Sequence, residues 1–129
     1  MFEDKVELGV SIEKKVEGGL LIKLRGRLDS DTYKTLEQKL KPALVPTTRL
    51  IILDMEKVNY VSSAGLAVIF QVKKFIEGKK GSLVIASLQP QVKKVIDIVK
   101  ALPKENIFQD REELDRYLDY IQKKTLRKE

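Results

Sequence analysis

The chain contains no cysteine and no histidine. The first absence excludes a disulfide framework and thiol redox chemistry, and it is compatible with a reducing cytosol. Together the two remove the usual metal ligands and the usual general base, so no metal site is expected. A serine hydrolase would need another base, and the elbow pattern G-x-S-x-G is missing. Neither G-x-G-x-x-G nor a Walker pattern occurs: Gly78-Lys79-Lys80-Gly81-Ser82 has the wrong spacing and closes a helical pattern instead of opening one. The paired carboxylates Glu112-Glu113 fall on a wet helix, where they are solvated charge. No cofactor and no enzymatic activity are expected. No run reaches the ~18 to 20 apolar residues needed to span a bilayer. Met1-Phe2-Glu3-Asp4-Lys5 lacks the basic-then-apolar order of a signal peptide. The expectation is a soluble, cytoplasmic protein with no membrane partner.

What is present fits one domain. At 129 residues the chain is long enough for a core without staples. The expected domain is 1–129, with a core of about 5–122 and a frayed tail over 123–129. The net charge is +6, and it is concentrated: between Lys73 and Lys104 eight lysines stand against Glu77 and Asp97 alone. A basic face of this kind suits nucleic acid, anionic lipid or an acidic partner. Here the lysines come in helix-spaced pairs with no interleaved arginine and a single aromatic, Phe75, which favours solvated outer faces of two helices and no direct nucleic-acid partner.

Val6, Leu8, Val10 and Ile12 alternate with polar residues or glycine, and Leu20, Ile22 and Leu24 resume the alternation after Gly18-Gly19, so the chain opens with a β-hairpin. Gly26-Arg27-Leu28-Asp29-Ser30-Asp31-Thr32 then leads into a helix carrying Tyr33, Leu36, Leu40 and Leu44 and closing near Pro46. Asp29, Ser30 and Asp31 are all candidate N-caps, and Asp29 fits a cap and a surface binding role equally well.

The stretch from Leu50 to Phe70 organises the rest. Leu50-Ile51-Ile52-Leu53 is an unbroken β-prone run, as expected of a strand covered on both faces, and Asp54 ends it. Residues 55–61 are expected to be a connection in which Val58, Tyr60 and Val61 seek burial. Ser62 and Ser63 present two hydroxyls where a helix begins, and either could cap it. That helix is apolar on most sides from Leu66 to Val72 and stops at Gly78. A strand over Ser82 to Ala86 follows. A helix from Pro90 then buries Val92, Val95, Ile96, Val99 and Leu102, and Pro103 halts it. Ile107-Phe108 is a short edge-strand candidate, and Leu114, Tyr117, Leu118 and Ile121 mark a last amphipathic helix. The order ββαβαβαα predicts an α/β domain with a mixed sheet: an N-terminal hairpin, then parallel βα units with helices packed on the sheet.

At Asn59-Tyr60-Val61-Ser62-Ser63-Ala64-Gly65-Leu66 the chain resembles the STAS domain of bacterial anti-sigma factor antagonists. Gly26-Arg27-Leu28-Asp29 after the hairpin, the Leu53-Asp54 strand end and the strand-then-helix from Leu83 agree with it, so the resemblance covers about residues 5–122. It implies a phosphorylation-switched binding module. The serine at the position of Ser63 is the phosphate acceptor, and the partner is an anti-sigma factor that is also a serine kinase. The unmodified form sequesters that partner and so frees a sigma factor. Asp29, Ser62, Ser63 and Gly65 would lie in the partner-facing surface. Ser62 stands where many members have Asp, which leaves Ser62 as a second candidate acceptor. The alternative function is a STAS interaction module of another signalling or transport complex without a phosphorylation cycle, with nucleic-acid binding through the lysine-rich helices a third.

Overall fold

The computed structural model describes residues 7–15, 18–101 and 111–127. β1 (Gly9–Lys14) and β2 (Gly19–Leu28) form the expected antiparallel hairpin, with Val10 opposite Leu24 and Ile12 opposite Ile22. Leu20, Ile22 and Leu24 point into the core while Lys23 and Arg25 face water, the half-buried pattern that period-two alternation demands. Gly18 adopts φ +81° in the turn, a left-handed conformation natural to glycine. Its carbonyl accepts from the N–H groups of Arg49 (2.8 Å) and Leu50 (3.0 Å), which sets where the next strand joins.

α1 (Tyr33–Ala43) buries Leu36 and Leu40. None of the three expected residues caps it. The N-cap is Thr32, whose hydroxyl makes no capping bond because it turns back to the Asp29 N–H (2.9 Å) and the Arg27 carbonyl (2.7 Å), while the Asp29 carboxylate accepts from the N–H of Asp31 (2.9 Å).

β3 runs from Leu50 to Val61, so the expected connection over 55–61 is in fact strand. Its buried positions are Ile51, Leu53 and Met55, then Val58, then Val61. The two gaps of three residues coincide with two register shifts against β2, at Lys23/Arg25 and Gly26/Arg27. Each shift inserts an extra β3 residue, a bulge that breaks the alternation without ending the strand. Leu50 and Ile52 are only half-buried, so the second face of this strand is less covered than its apolar run suggests.

α2 (Ser63–Gly78), β4 (Ser82–Ala86), α3 (Pro90–Ala101) and α4 (Arg111–Arg127) complete the chain. Among the described residues the sheet order is β1-β2-β3-β4, with β2–β3 and β3–β4 both parallel. α2 packs on β3 and β4 and touches α1 and α4; α3 lies on β3 and pairs with α4. The core collects Ile22, Leu28, Leu36, Ile51, Met55 and Ile69, each under 2% exposed. Burying a side chain of this size contributes about 1.5 to 3 kcal/mol.

Of the tail 123–129 expected to fray, residues 123–127 continue α4, where Asp119 pairs with Lys123 at 3.0 Å and Thr125 Oγ1 donates to the Ile121 carbonyl at 2.8 Å, and residues 128–129 lie outside the described residues. Both acids of the lysine-rich region are paired along their own helices, Glu77 with Lys73 (2.8 Å) and Asp97 with Lys93 (2.7 Å). The expectations for Val6, Leu102-Pro103, Lys104 and Ile107-Phe108 lie outside the described residues.

Candidate functional site

Parallel pairing puts Leu28, the last residue of β2, beside Val61, the last of β3, so both chains leave the sheet at the same end. The Ser62 N–H donates to the Leu28 carbonyl at 2.9 Å and extends the ladder by one step. Ser62 then caps α2: its backbone is extended (φ −95°, ψ 178°) and its hydroxyl accepts from the Gly65 N–H at 3.4 Å. Gly65 is what lets the helix come this close. A Cβ there would run into the Leu28 carbonyl oxygen and lie 2.8 Å from Leu28 Cγ.

Ser63 is the first helical residue and is 7% exposed. Its N–H, one of the donors that a helix start leaves unpaired, donates to Asp115 Oδ1 of α4 at 2.8 Å. Its hydroxyl oxygen is buried and, among the described residues, has no hydrogen-bond partner. The two serines offered by the sequence are thus unequal: Ser62 is occupied as a cap and Ser63 carries the uncommitted hydroxyl.

Asp29 is 9% exposed, and both its oxygens serve its own loop. Oδ1 accepts from Asp31, and Oδ2 accepts from Arg27 Nε at 3.2 Å. The Asp29 N–H in turn donates to Thr32 Oγ1 at 2.9 Å, and that hydroxyl donates to the Arg27 carbonyl at 2.7 Å. Arg27 is half-exposed and lays its guanidinium 4.0 Å from the centre of the Tyr60 ring. At such exposure the stacking contributes about 0.5 to 1 kcal/mol. Tyr60 itself is pushed up from its ordinary value of 10.0 to about 12, first by burial and then by the negative charge of Asp119, against the opposing pull of Arg27. Asp115 adds to the upward push, as does the hydrogen bond between the phenol and Asp119.

α4 closes this end of the sheet with groups that sequence reasoning did not single out. Gln122 is fully buried and binds the backbone of Val61 from both sides, and Asp115 and Asp119 face Ser63 and Tyr60. A signal for Gln122 exists: Leu114, Leu118 and Gln122 are spaced by four and share one face, and a glutamine on an apolar face needs a partner. Asp115 carries no such signal. Chemically the site offers one hydroxyl at a helix N-terminus, where the dipole favours an anion, while the N–H groups of Ser63 and Gly65 are already engaged by Asp115 and Ser62. Among the described residues no group of acidic side chains is arranged to hold a metal ion.

The profile of the STAS domain matches residues 11–114. BtrV of Bordetella bronchiseptica, which is named as an anti-sigma factor antagonist, is 34% identical over 84 residues, spanning 65% of this chain and 72% of BtrV. An anti-sigma factor antagonist from Mycobacterium paratuberculosis superposes with a TM-score of 0.65 at 17% identity, over 89% of this chain and 99% of that one. SpoIIAA superposes with a TM-score of 0.60 at 20% identity in its unphosphorylated form, over 84% of this chain and 97% of that one. Its phosphorylated form gives the same score. With its hairpin, its parallel βα units and the serine pair at the start of α2, the chain belongs to the STAS domain family, among the anti-sigma factor antagonists.

Proposed function

We propose that this chain is a switch protein without catalytic activity of its own. Unphosphorylated, it sequesters an anti-sigma factor and so frees a sigma factor; phosphorylated on Ser63 by that partner acting as a serine kinase, it lets go. One observation carries the assignment to Ser63: its hydroxyl alone of the pair is uncommitted, while Ser62 caps the helix. The partner-facing surface is the end of the sheet where β2 and β3 stop. There the Asp29 loop and the Ser62-Ser63 turn lie side by side and Gly65 seats α2 against Leu28. No helix among the described residues is long and apolar enough to cross a membrane, in keeping with a cytoplasmic partner.

The phosphate adds about −1.5 to −2 charges at neutral pH. The positive end of α2 can compensate it within this domain, but a partner surface shaped for the unmodified protein cannot. Leaving such a charge unpaired in an interface costs on the order of 2 to 5 kcal/mol, roughly thirty-fold to a few thousand-fold in affinity. The test incubates the protein with a serine-kinase anti-sigma factor of the same genome and ATP, then maps phosphate by mass spectrometry and measures binding by calorimetry. Phosphate on Ser63, absent from Ser63→Ala and retained by Ser62→Ala, together with lost binding, is the expected result. Phosphate on Ser62, or stable binding with neither serine modified, overturns it.

A further inference from the structure

Arg27 is held from two sides while its charged end stays open. Its Nε donates to Asp29 Oδ2 at 3.2 Å, and its guanidinium lies 4.0 Å from the centre of the Tyr60 ring. Neither support is loose. The Asp29 side chain is only 12% exposed and also accepts from the N–H of Asp31, while the Tyr60 phenol is hydrogen-bonded to Asp119 of α4. Among the described residues Nε is the only nitrogen of this guanidinium that is bonded, and 47% of the Arg27 side chain is exposed. The strand ladder sets its place. The register shift between Gly26 and Arg27 passes over Asn59 and brings Arg27 opposite Tyr60. The next pair is Leu28 with Val61, and the Leu28 carbonyl receives the Ser62 N–H, so the guanidinium stands at the rim of the serine turn.

We propose that Arg27 is the specificity-determining contact of the partner-facing surface, and that its open edge takes one carboxylate of the partner protein as a bidentate pair. The inference rests on the proposed function for the identity of the partner, and it adds the chemistry by which that partner is read.

Three arguments lead to this pairing. With Nε engaged by Asp29, the two terminal nitrogens leave a planar edge of parallel N–H groups that matches the two oxygens of a carboxylate. The acids around it are mostly turned inward: Asp29 accepts from Arg27 and Asp31, Asp115 from the Ser63 N–H, and Asp119 from Tyr60. Asp29, which the sequence offers as a binding residue, is therefore the holder of Arg27 instead. Asp31 is exposed in the same loop and repels a second acid, so the arrangement admits one carboxylate in register and disfavours an acidic patch. Finally, the side chain is already fixed by Asp29 and Tyr60, so pairing forfeits little rotamer freedom.

The test is calorimetry of the full chain with the serine-kinase anti-sigma factor of the same genome, first without nucleotide. Arg27→Ala should weaken binding about thirtyfold or more, as for an interface anchor. Arg27→Lys should recover little of it, because an ammonium has no fork and no flat face for Tyr60. Should circular dichroism show Arg27→Ala to be unfolded, Arg27→Lys carries the comparison. Tyr60→Phe keeps the ring under the guanidinium and should bind within about threefold of the parent. A purely structural role is separated by charge exchange: Arg27→Glu should lose binding, and arginine at one acidic position of the partner should restore it. If the parent binds and Arg27→Ala binds equally well, the inference falls while the proposed function stands. It falls also if no exchanged acid restores Arg27→Glu, or if weakening appears only with ATP present, which would make the anion a nucleotide phosphate. A parent that does not bind the anti-sigma factor at all defeats the proposed function, and this inference with it.

Discussion

Gln122 closes the end of β3 with both ends of its amide: Oε1 accepts from the Val61 N–H at 3.0 Å and Nε2 donates to the Val61 carbonyl at 2.9 Å. A side chain thus pairs with the backbone as a neighbouring strand would. It does so one residue before the Ser62-Ser63 turn, so the last helix of the chain fixes the geometry from which α2 starts.

Replacing Gln122 by leucine keeps the volume and the apolar contacts but strands two buried backbone groups. Each unsatisfied group costs about 1 to 3 kcal/mol. Gln122→Leu should therefore lower unfolding free energy by roughly 2 kcal/mol or more despite the added hydrophobicity, as read from the midpoint of urea unfolding. A variant as stable as the parent would mean that water or a shifted backbone satisfies Val61.

Two glycines of α2 should respond oppositely to alanine. At Gly65 the new methyl meets the Leu28 carbonyl and Cγ, and both belong to a strand end that cannot retreat. Overpacking of this sort costs about 1 to 3 kcal/mol. At Gly78 nothing lies within 4 Å of the new Cβ, and the helix gains a better helix former worth up to about 1 kcal/mol. Thermal unfolding of the pair should show Tm falling for Gly65→Ala and holding or rising for Gly78→Ala.

The sequence made the order of elements legible because each hydrophobic period is clean where the structure is regular. The hairpin, α1 and α2 all follow their patterns. It failed where structure departs from period: the two bulges of β3 spread Met55, Val58 and Val61 three apart, which on paper resembles a loop. The serine pair was visible as a helix start, but its division of labour was not. Which hydroxyl caps depends on where β3 ends, and that depends on the bulges. Asp29 was visible as a polar residue after a strand, while its turn back to Asp31 and Arg27 is a tertiary fact. Asp115 could not be found at all, because its partner lies across the fold and nothing local distinguishes it from the other acids of α4.

Tyr60 should make the domain sensitive to alkali. Its proton is held up to about 12 in the folded state against an ordinary 10.0, because burial and Asp119 oppose the phenolate. Between those values the unfolded chain has released the proton and the folded chain retains it, so stability falls as pH rises through that window. Below pH 10 the contribution is fully present. Tyr60→Phe cannot ionise, so the slope of unfolding free energy against pH from about 10 to 12 should be shallower than in the parent. Parallel slopes would place the alkaline sensitivity elsewhere.

The two serines should separate in stability before any partner is added. Ser62→Ala removes the oxygen that accepts from Gly65, and loss of an N-cap costs about 1 kcal/mol, within a range of roughly 0.5 to 2. Ser63→Ala removes a buried hydroxyl that gains no hydrogen bond in return for its desolvation, and it leaves the N–H to Asp115 in place. It should be neutral or stabilising by about 1 kcal/mol, since the burial cost of an unsatisfied group disappears. Urea unfolding of the two single variants and of the double variant decides the matter. Additive changes of opposite sign support the division between a capping and a free hydroxyl. A destabilised Ser63→Ala would show that its hydroxyl bonds in solution, and the assignment of Ser63 as the uncommitted member of the pair would fall with it.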